Sequence, residues 1–228
     1  MKKSYKHSGL GNMCLGMVTD RYAVSKEFIG SDAYKKAKGM TFVTESYNVG
    51  ETGHLCIVRM NGLLGLMKME TVVFTVTGKD VPLINLDWVS AFGKETMIIE
   101  MYDDQISEYP EEDLQTFAEL KDRDADIPDS KSSRHWYDSI IYPCSYHKVS
   151  KNEGERLDAA AHDYFAAFLE QLEKAPFCDP EEKQKRASAF ARRLFDEGGP
   201  AVDQVTKLFG SDFARRLVLN YMYGVRRN

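Results

Sequence analysis

Apolar residues in this chain first follow a spacing of two and later a spacing near 3.6. Met40 to Tyr47 alternates, with β-prone Phe42 and Val43, and predicts a strand. Gly53 to Met60 predicts a second, Leu63 to Thr77 a third, Val81 to Phe92 a fourth and Glu95 to Tyr102 a fifth. Asn61-Gly62 sits between β-prone runs as a type I′ hairpin turn, and Gly78-Lys79-Asp80 and Gly93-Lys94 turn the later strands. From Gly53 to Tyr102 the links are too short for a crossover helix, so these strands form an antiparallel meander. Ahead of them, Ser31-Asp32 is placed to cap a short helix through Ala33 to Lys38, stopped by Gly39.

The second half reads as helix. Pro110-Glu111-Glu112-Asp113 opens one through Leu120, with acids in the first turn where the helix dipole favours them. Lys121 to Ser133 is a polar loop. His135 to Val149 is aromatic and β-branched, and its Pro143 suits an edge strand. Leu157, Ala160, Ala161, Tyr164, Phe165, Phe168 and Leu172 recur at helical spacing between Glu153 and Lys174. Asp179-Pro180 starts a helix to Phe195, Gly198-Gly199-Pro200 breaks it, and Ser211 caps a final helix ending near Gly224. Strands first and helices last predict an α+β fold in one domain spanning residues 1–228.

Composition excludes several classes of function. The chain carries a net charge of −5 at neutral pH, which argues against a nucleic-acid partner. No apolar run approaches the ~18 residues of a membrane span. The apolar stretch Gly9 to Val18 follows Met1-Lys2-Lys3, but Asn12 interrupts it and no small-residue cleavage site follows, so it reads as part of the domain. Cys14, Cys56, Cys144 and Cys178 form no C-x-x-C pair and read as the reduced thiols of a cytoplasmic protein. No Gly-rich nucleotide loop, zinc-protease helix or nucleophile elbow is present. These absences narrow the field to proton chemistry with electrons brought from elsewhere, or to simple binding.

One residue departs from its surroundings. Alternation along Val81 to Phe92 puts Leu83, Asn85, Asp87 and Val89 on one face and Leu86, Trp88 and Ser90 on the other. Aspartate is depleted in strands and rarely buried unpaired. Asp87 therefore either bonds to backbone or an arginine at the sheet surface, or is a carboxyl group in an apolar pocket, where desolvation raises its pKa and makes it a proton donor near neutral pH. Glu70 and Arg59 are similar anomalies on neighbouring strands.

Short motifs carry a resemblance. Val81-Pro-Leu-Ile-Asn-Leu-Asp87 resembles the L-P-x-x-x-x-D strand of the ferredoxin-dependent bilin reductases, which include phycocyanobilin:ferredoxin oxidoreductase, phycoerythrobilin synthase and phytochromobilin synthase. Trp136-Tyr-Asp138 with Tyr142-Pro143-Cys144 resembles the family's W-x-D…S-P strand. Lys207-Leu-Phe-Gly210, Asp212-Phe-Ala-Arg215 and Asn220-Tyr-Met-Tyr223 resemble its C-terminal ending. The resemblance runs from about Glu45 to the C-terminus. It implies a three-layer α/β/α sandwich, an antiparallel sheet with helices on both faces, and a linear tetrapyrrole such as biliverdin held between the sheet and the C-terminal helices. It also implies reduced ferredoxin (or flavodoxin) as an external electron donor, no bound metal or flavin, and a monomer.

By the same resemblance Asp87 is the catalytic acid, and Glu70, standing where the phycocyanobilin-forming branch places a His, is a second acid or polar partner in the pocket. Thr96 and Arg134 are expected to hold the substrate's propionates, with Asn85, Arg59 and Arg193 as further substrate contacts and Arg192 beside them. Lys183, Lys185, Arg186, Arg215 and Arg216 are candidates for steering an acidic ferredoxin. Two other readings of the same fold are a tetrapyrrole carrier without chemistry and a reductase of another open-chain tetrapyrrole, such as a chlorophyll catabolite.

Overall fold

A computed structural model describes residues 9–130 and 135–225. Its centre is an antiparallel sheet of β1 (Ser25–Lys26), β2 (Tyr34–Ala37), β3 (Met40–Val49), β4 (Gly53–Gly62), β5 (Met67–Val76), β6 (Leu83–Ala91), β7 (Lys94–Tyr102) and β8 (Tyr146–Ser150). The order is β1-β3-β4-β5-β6-β7-β8, with β2 also on β3. The meander β4 to β7 is the one predicted from the short links, β3 is the strand predicted at Met40 to Tyr47, and β6 lies inside the sheet. Asp87 is opposite Thr71 of β5 and Ile98 of β7.

Helices cover both faces, giving an α+β three-layer sandwich. On one side α1 (Leu10–Thr19), α2 (Glu111–Asp122) and α3 (Gly154–Lys174) pack on Ile57, Val72, Phe74, Leu86, Trp88 and Ile99. The stripe of α3 places Phe165 and Phe168 on Phe74, with ring centroids 6.4 and 6.1 Å from it. The stretch Gly9 to Val18 becomes α1 and buries Leu10, Cys14 and Val18 in this core. On the other side lie α4 (Pro180–Glu197), α5 (Pro200–Phe209), α6 (Ser211–Arg215) and a π-helical turn (Arg216–Met222). They cover Phe42, Val58, Met60, Val73 and Tyr102. Helix α4 starts as its sequence predicts: Pro180 is in the first turn and the Asp179 side chain accepts from the Glu181 and Glu182 amides.

The structure corrects several local expectations. Residues Ala33 to Lys38 are not a helix. A 3₁₀ turn (Gly30–Ala33) leads into β2, which pairs with β3 from Tyr34–Val43 to Ala37–Met40. Six residues are too few to hold a helix in water, and pairing with β3 supplies ladder hydrogen bonds along one side of the segment instead. Asn61-Gly62 is not the reversal; β4 runs through it, and Leu63-Leu64-Gly65 turns the chain, with Leu63 and Leu64 at φ 51° and 56°. Gly62 serves close packing: a Cβ there would sit 3.0 Å from Met40 Cγ. Of the His135–Val149 stretch, Tyr146 to Val149 belong to β8 and Ile141 makes an isolated bridge to Tyr102; Trp136–Ile140 is a 3₁₀ turn and Pro143 lies before the strand. Neither Ser31 nor Ser211 caps a helix with its side chain.

Among the described residues, no helix is long and apolar enough to cross a membrane. The four cysteines are free thiols, and burial pushes those of Cys14 and Cys56 upward in pKa.

The layer carrying α4 is tied down by a buried ion pair. Lys183 has no solvent exposure, and its Nζ donates to Asp104 Oδ1 at 2.7 Å and to the Asp104 carbonyl at 3.0 Å. Asp104 Oδ1 also accepts from the Leu83 amide at 2.8 Å. Removing one member of such a pair strands the other charge away from water. Lys183→Met is expected to lower unfolding free energy by about 3–5 kcal/mol in urea titrations. The double variant Lys183→Met with Asp104→Asn, which keeps an acceptor for Leu83, should recover much of that loss. A double variant as unstable as the single one would show that the pair is not the tether.

Candidate active site

The β6 side chains that face α4, α5 and the π-helical turn include Asn85 and Asp87, as period-two alternation requires. The Thr71 hydroxyl donates to Asp87 Oδ1, and Asn85 Nδ2 donates to Oδ2 at 2.7 Å. On the next strand Glu100 is paired with Asn85. The Tyr102 hydroxyl donates to Glu100 Oε2, and Glu100 Oε1 lies 3.2 Å from His147 Nε2 on β8, off the line of a hydrogen bond. Thr71, Asn85, Asp87, Glu100 and Tyr102 form one wall of a cavity of about 120 Å³. Val202 and Val205 of α5 and Leu217, Val218 and Met222 of the π-helical turn form the opposite wall, with Tyr137 and Tyr223 at its sides.

Asp87 is consequently a poor carboxylate. Burial, with the nearby negative charge of Glu100, outweighs the hydrogen bonds from Thr71 and Asn85, and its pKa is pushed up to about 6. Tyr102 and Tyr223 are pushed up as well, burial first and the Glu100 or Asp87 charge after it, so both keep their hydroxyl protons. Asn85 fits both charge states of its neighbour. Its Nδ2 donates to the carboxylate, while its buried Oδ1 has no partner in this orientation. An amide flip would turn that oxygen toward a protonated Asp87.

The cavity is smaller than a second, open cleft of about 1220 Å³ between the Glu27–Ile29 loop, α4 and the C-terminal segment. Asp87 lines the smaller space and not the cleft. The two share a wall: Asn220, Tyr221 and Val225 line the cleft, while Val218, Met222 and Tyr223 line the cavity.

Of the residues singled out from sequence, Asp87 and Asn85 stand together here. Glu70 does not. It is paired with Trp88, one residue out of step with Asp87, and its side chain points to the α1 face. There its Oε2 accepts from the Gly11 amide at 2.7 Å and Arg59 Nε lies 3.6 Å from Oε1. Arg59 is on that same far face, bound also to Glu45 and to Asn12 Oδ1. Both are correctly seen as strand anomalies, but they anchor α1. The residue beside Asp87 on β5 is Thr71.

Thr96 shares the Asp87 face, opposite Val89, beyond the cavity lining. Arg193 stacks 4.2 Å above the Trp136 ring and binds Glu197 outside the cavity. Arg134 lies outside the described residues. Glu100, Tyr102 and His147 join the site without being foreseen from the sequence. A charged residue in the fifth predicted strand was the available signal for Glu100; nothing local marks His147 as its neighbour.

An antiparallel sandwich with a protonatable carboxyl group between its sheet and its C-terminal helices defines a class of protein: an acid-bearing pocket with no nucleotide-binding loop. No protein-family model and no curated sequence matches the chain. Among solved structures, it is similar to phytochromobilin synthase from tomato, determined in complex with biliverdin, with a TM-score of 0.76 over 96% of this chain and 83% of the other at 13% identity. The shared fold is that of a bilin reductase, as the sequence motifs suggested.

The raised pKa of Asp87 has a sign in stability. Between about pH 4 and 6 the folded chain keeps a proton that the unfolded chain releases, so ionisation of Asp87 costs stability as pH rises through that window and no more above it. The cost is on the order of 2–3 kcal/mol. Asp87→Asn should therefore gain stability relative to the parent between pH 4 and 7, by about 2 kcal/mol in paired urea titrations. An unchanged gap at the two pH values would contradict a desolvated Asp87.

Proposed function

We propose that this chain reduces a linear tetrapyrrole, biliverdin or a close relative, with Asp87 as proton donor and reduced ferredoxin or flavodoxin as external electron donor. The observation that carries this reading is a carboxyl group with a pKa near 6, on a central strand under the C-terminal helices, in the fold of an enzyme solved with biliverdin. A bilin that accepts one electron becomes a stronger base at its carbons and nitrogens. A carboxylic acid held near it then completes each electron transfer with a proton. Thr71 and Asn85 fix the direction of the Asp87 oxygens, and the aliphatic wall of α5 and the π-helical turn keeps bulk water from quenching a radical.

The 120 Å³ cavity is smaller than the ~300–1,000 Å³ usual for ligand sites. The segment Asn220–Val225 separates it from the 1220 Å³ cleft, and displacement of that segment joins the two into a space of adequate size. The charges proposed for donor docking are narrowed by the structure. Lys183 is buried on Asp104, and Arg216 binds Asp32 at 2.7 Å, whereas Lys185 is 80% exposed on α4. Lys185, with Arg215, supports an acidic donor; Lys183, Arg216 and Arg186, whose guanidinium holds Glu182 and the Gln105 carbonyl, do not.

Anaerobic mixing with biliverdin should shift the bilin absorption bands on binding, and reduced ferredoxin should then convert them to those of a reduced bilin. Asp87→Asn should bind with the same bands and reduce at least about 100-fold more slowly. In the parent, kcat/KM should fall about tenfold per pH unit above the Asp87 pKa, because the acid form is the reactive one. Bands that never change after reductant is added would instead make the chain a carrier.

A further inference from the structure

We propose that Glu100 is a second proton-transferring residue of this site and that His147 recharges it from solvent; this rests on the reductase reading above. Reducing one carbon–carbon double bond consumes two electrons and two protons. Two one-electron donors of the ferredoxin class are oxidised, the double bond becomes a CH–CH unit, and two protons must be delivered to it. Asp87 accounts for one.

Glu100 is placed to supply the other. It lines the same cavity, on the adjacent strand and the same face, and is only 9% exposed. Tyr102 donates to its Oε2 and holds the carboxyl group against the sheet. Its Oε1 faces His147 Nε2 at 3.2 Å. That nitrogen is buried, yet about a quarter of the His147 side chain (26%) is open to solvent at the margin of the sheet. The imidazole thus has one edge in the site and part of its surface in water. After Glu100 gives its proton to the reduced substrate, its carboxylate takes the Nε2 proton of the imidazolium, and His147 regains one from solvent. The nearby Glu100 charge is also one of the causes that raise the pKa of Asp87.

Parent, Asp87→Asn, Glu100→Gln, Glu100→Asp and His147→Ala proteins are mixed anaerobically with biliverdin and photoreduced plant-type ferredoxin, followed by absorbance and electron paramagnetic resonance. Glu100→Gln should bind biliverdin with parental bands, which also shows it is folded, accumulate a bilin radical, and form product at least about 100-fold more slowly. Glu100→Asp should regain part of that rate. His147→Ala should lose turnover that added imidazole restores, while imidazole leaves Glu100→Gln unchanged. Product at the parental rate from Glu100→Gln, with Asp87→Asn blocked, would overturn the role of Glu100 and leave the reductase reading standing. A His147→Ala protein with parental turnover, or one that imidazole does not rescue, would overturn the recharging route. A parent that binds biliverdin and forms no product would remove both readings together.

Discussion

Ionising a carboxyl group requires water or compensating dipoles around it, and a sheet covered on both faces supplies little of either. Asp87 sits where that shortage is greatest, on β6 between β5 and β7, with α3 behind the sheet and the π-helical turn in front. Two hydrogen bonds from Thr71 and Asn85 partly replace water but do not win, and the acid keeps its proton to about pH 6. Every element that makes the site apolar thereby also makes it reactive. The helices that exclude solvent raise the pKa, and the pKa makes a proton available to whatever enters the cavity.

The sheet also sorts charged residues between two tasks. Residues in step with Asp87 share its face: Thr71, Asn85 and Glu100 line the cavity, and His147 lies beside Glu100. Residues one position away (Glu70, Arg59 and Glu45) face α1 and form an ion network that accepts the Gly11 amide at the start of that helix. The negative end of Glu70 there suits the positive end of a helix dipole. One residue of register decides whether an acid does structural or chemical work.

That parity explains what the sequence disclosed. Within one strand the faces follow from alternation, so Leu83, Asn85 and Asp87 were assigned together and the sheet confirms them. Between strands the sequence holds no register. The resemblance puts Glu70 in the pocket, whereas the register makes Thr71 the residue opposite Asp87. His147 was beyond reach for the same reason, since its meeting with Glu100 depends on β8 returning to β7 after α2. The long helices were legible because a stripe such as Leu157 to Leu172 admits one period, and Asp179-Pro180 is a strong start signal. The β2 hairpin was not, because Tyr34-Lys-Lys-Ala37 has no strand signal of its own and takes its conformation from β3.

The C-terminal segment joins fold to function by being held at its ends rather than along its length. Arg216 and the Tyr221 hydroxyl both bind Asp32 in the 3₁₀ turn before β2, and the Tyr221 carbonyl lies 2.7 Å from His54 Nε2. Between these anchors the backbone is π-helical, a wider and less common winding that adds a residue to the turn and is found mainly at functional sites. Leu217, Val218 and Met222 face the cavity from this turn, while Asn220 and Tyr221 face the cleft. A regular α-helix of the same residues would rotate that division, since the side-chain direction of each residue follows its winding. The extra residue thus sets which side chains seal the space over Asp87, and the unexpected β2 hairpin, through Asp32, holds that seal in place.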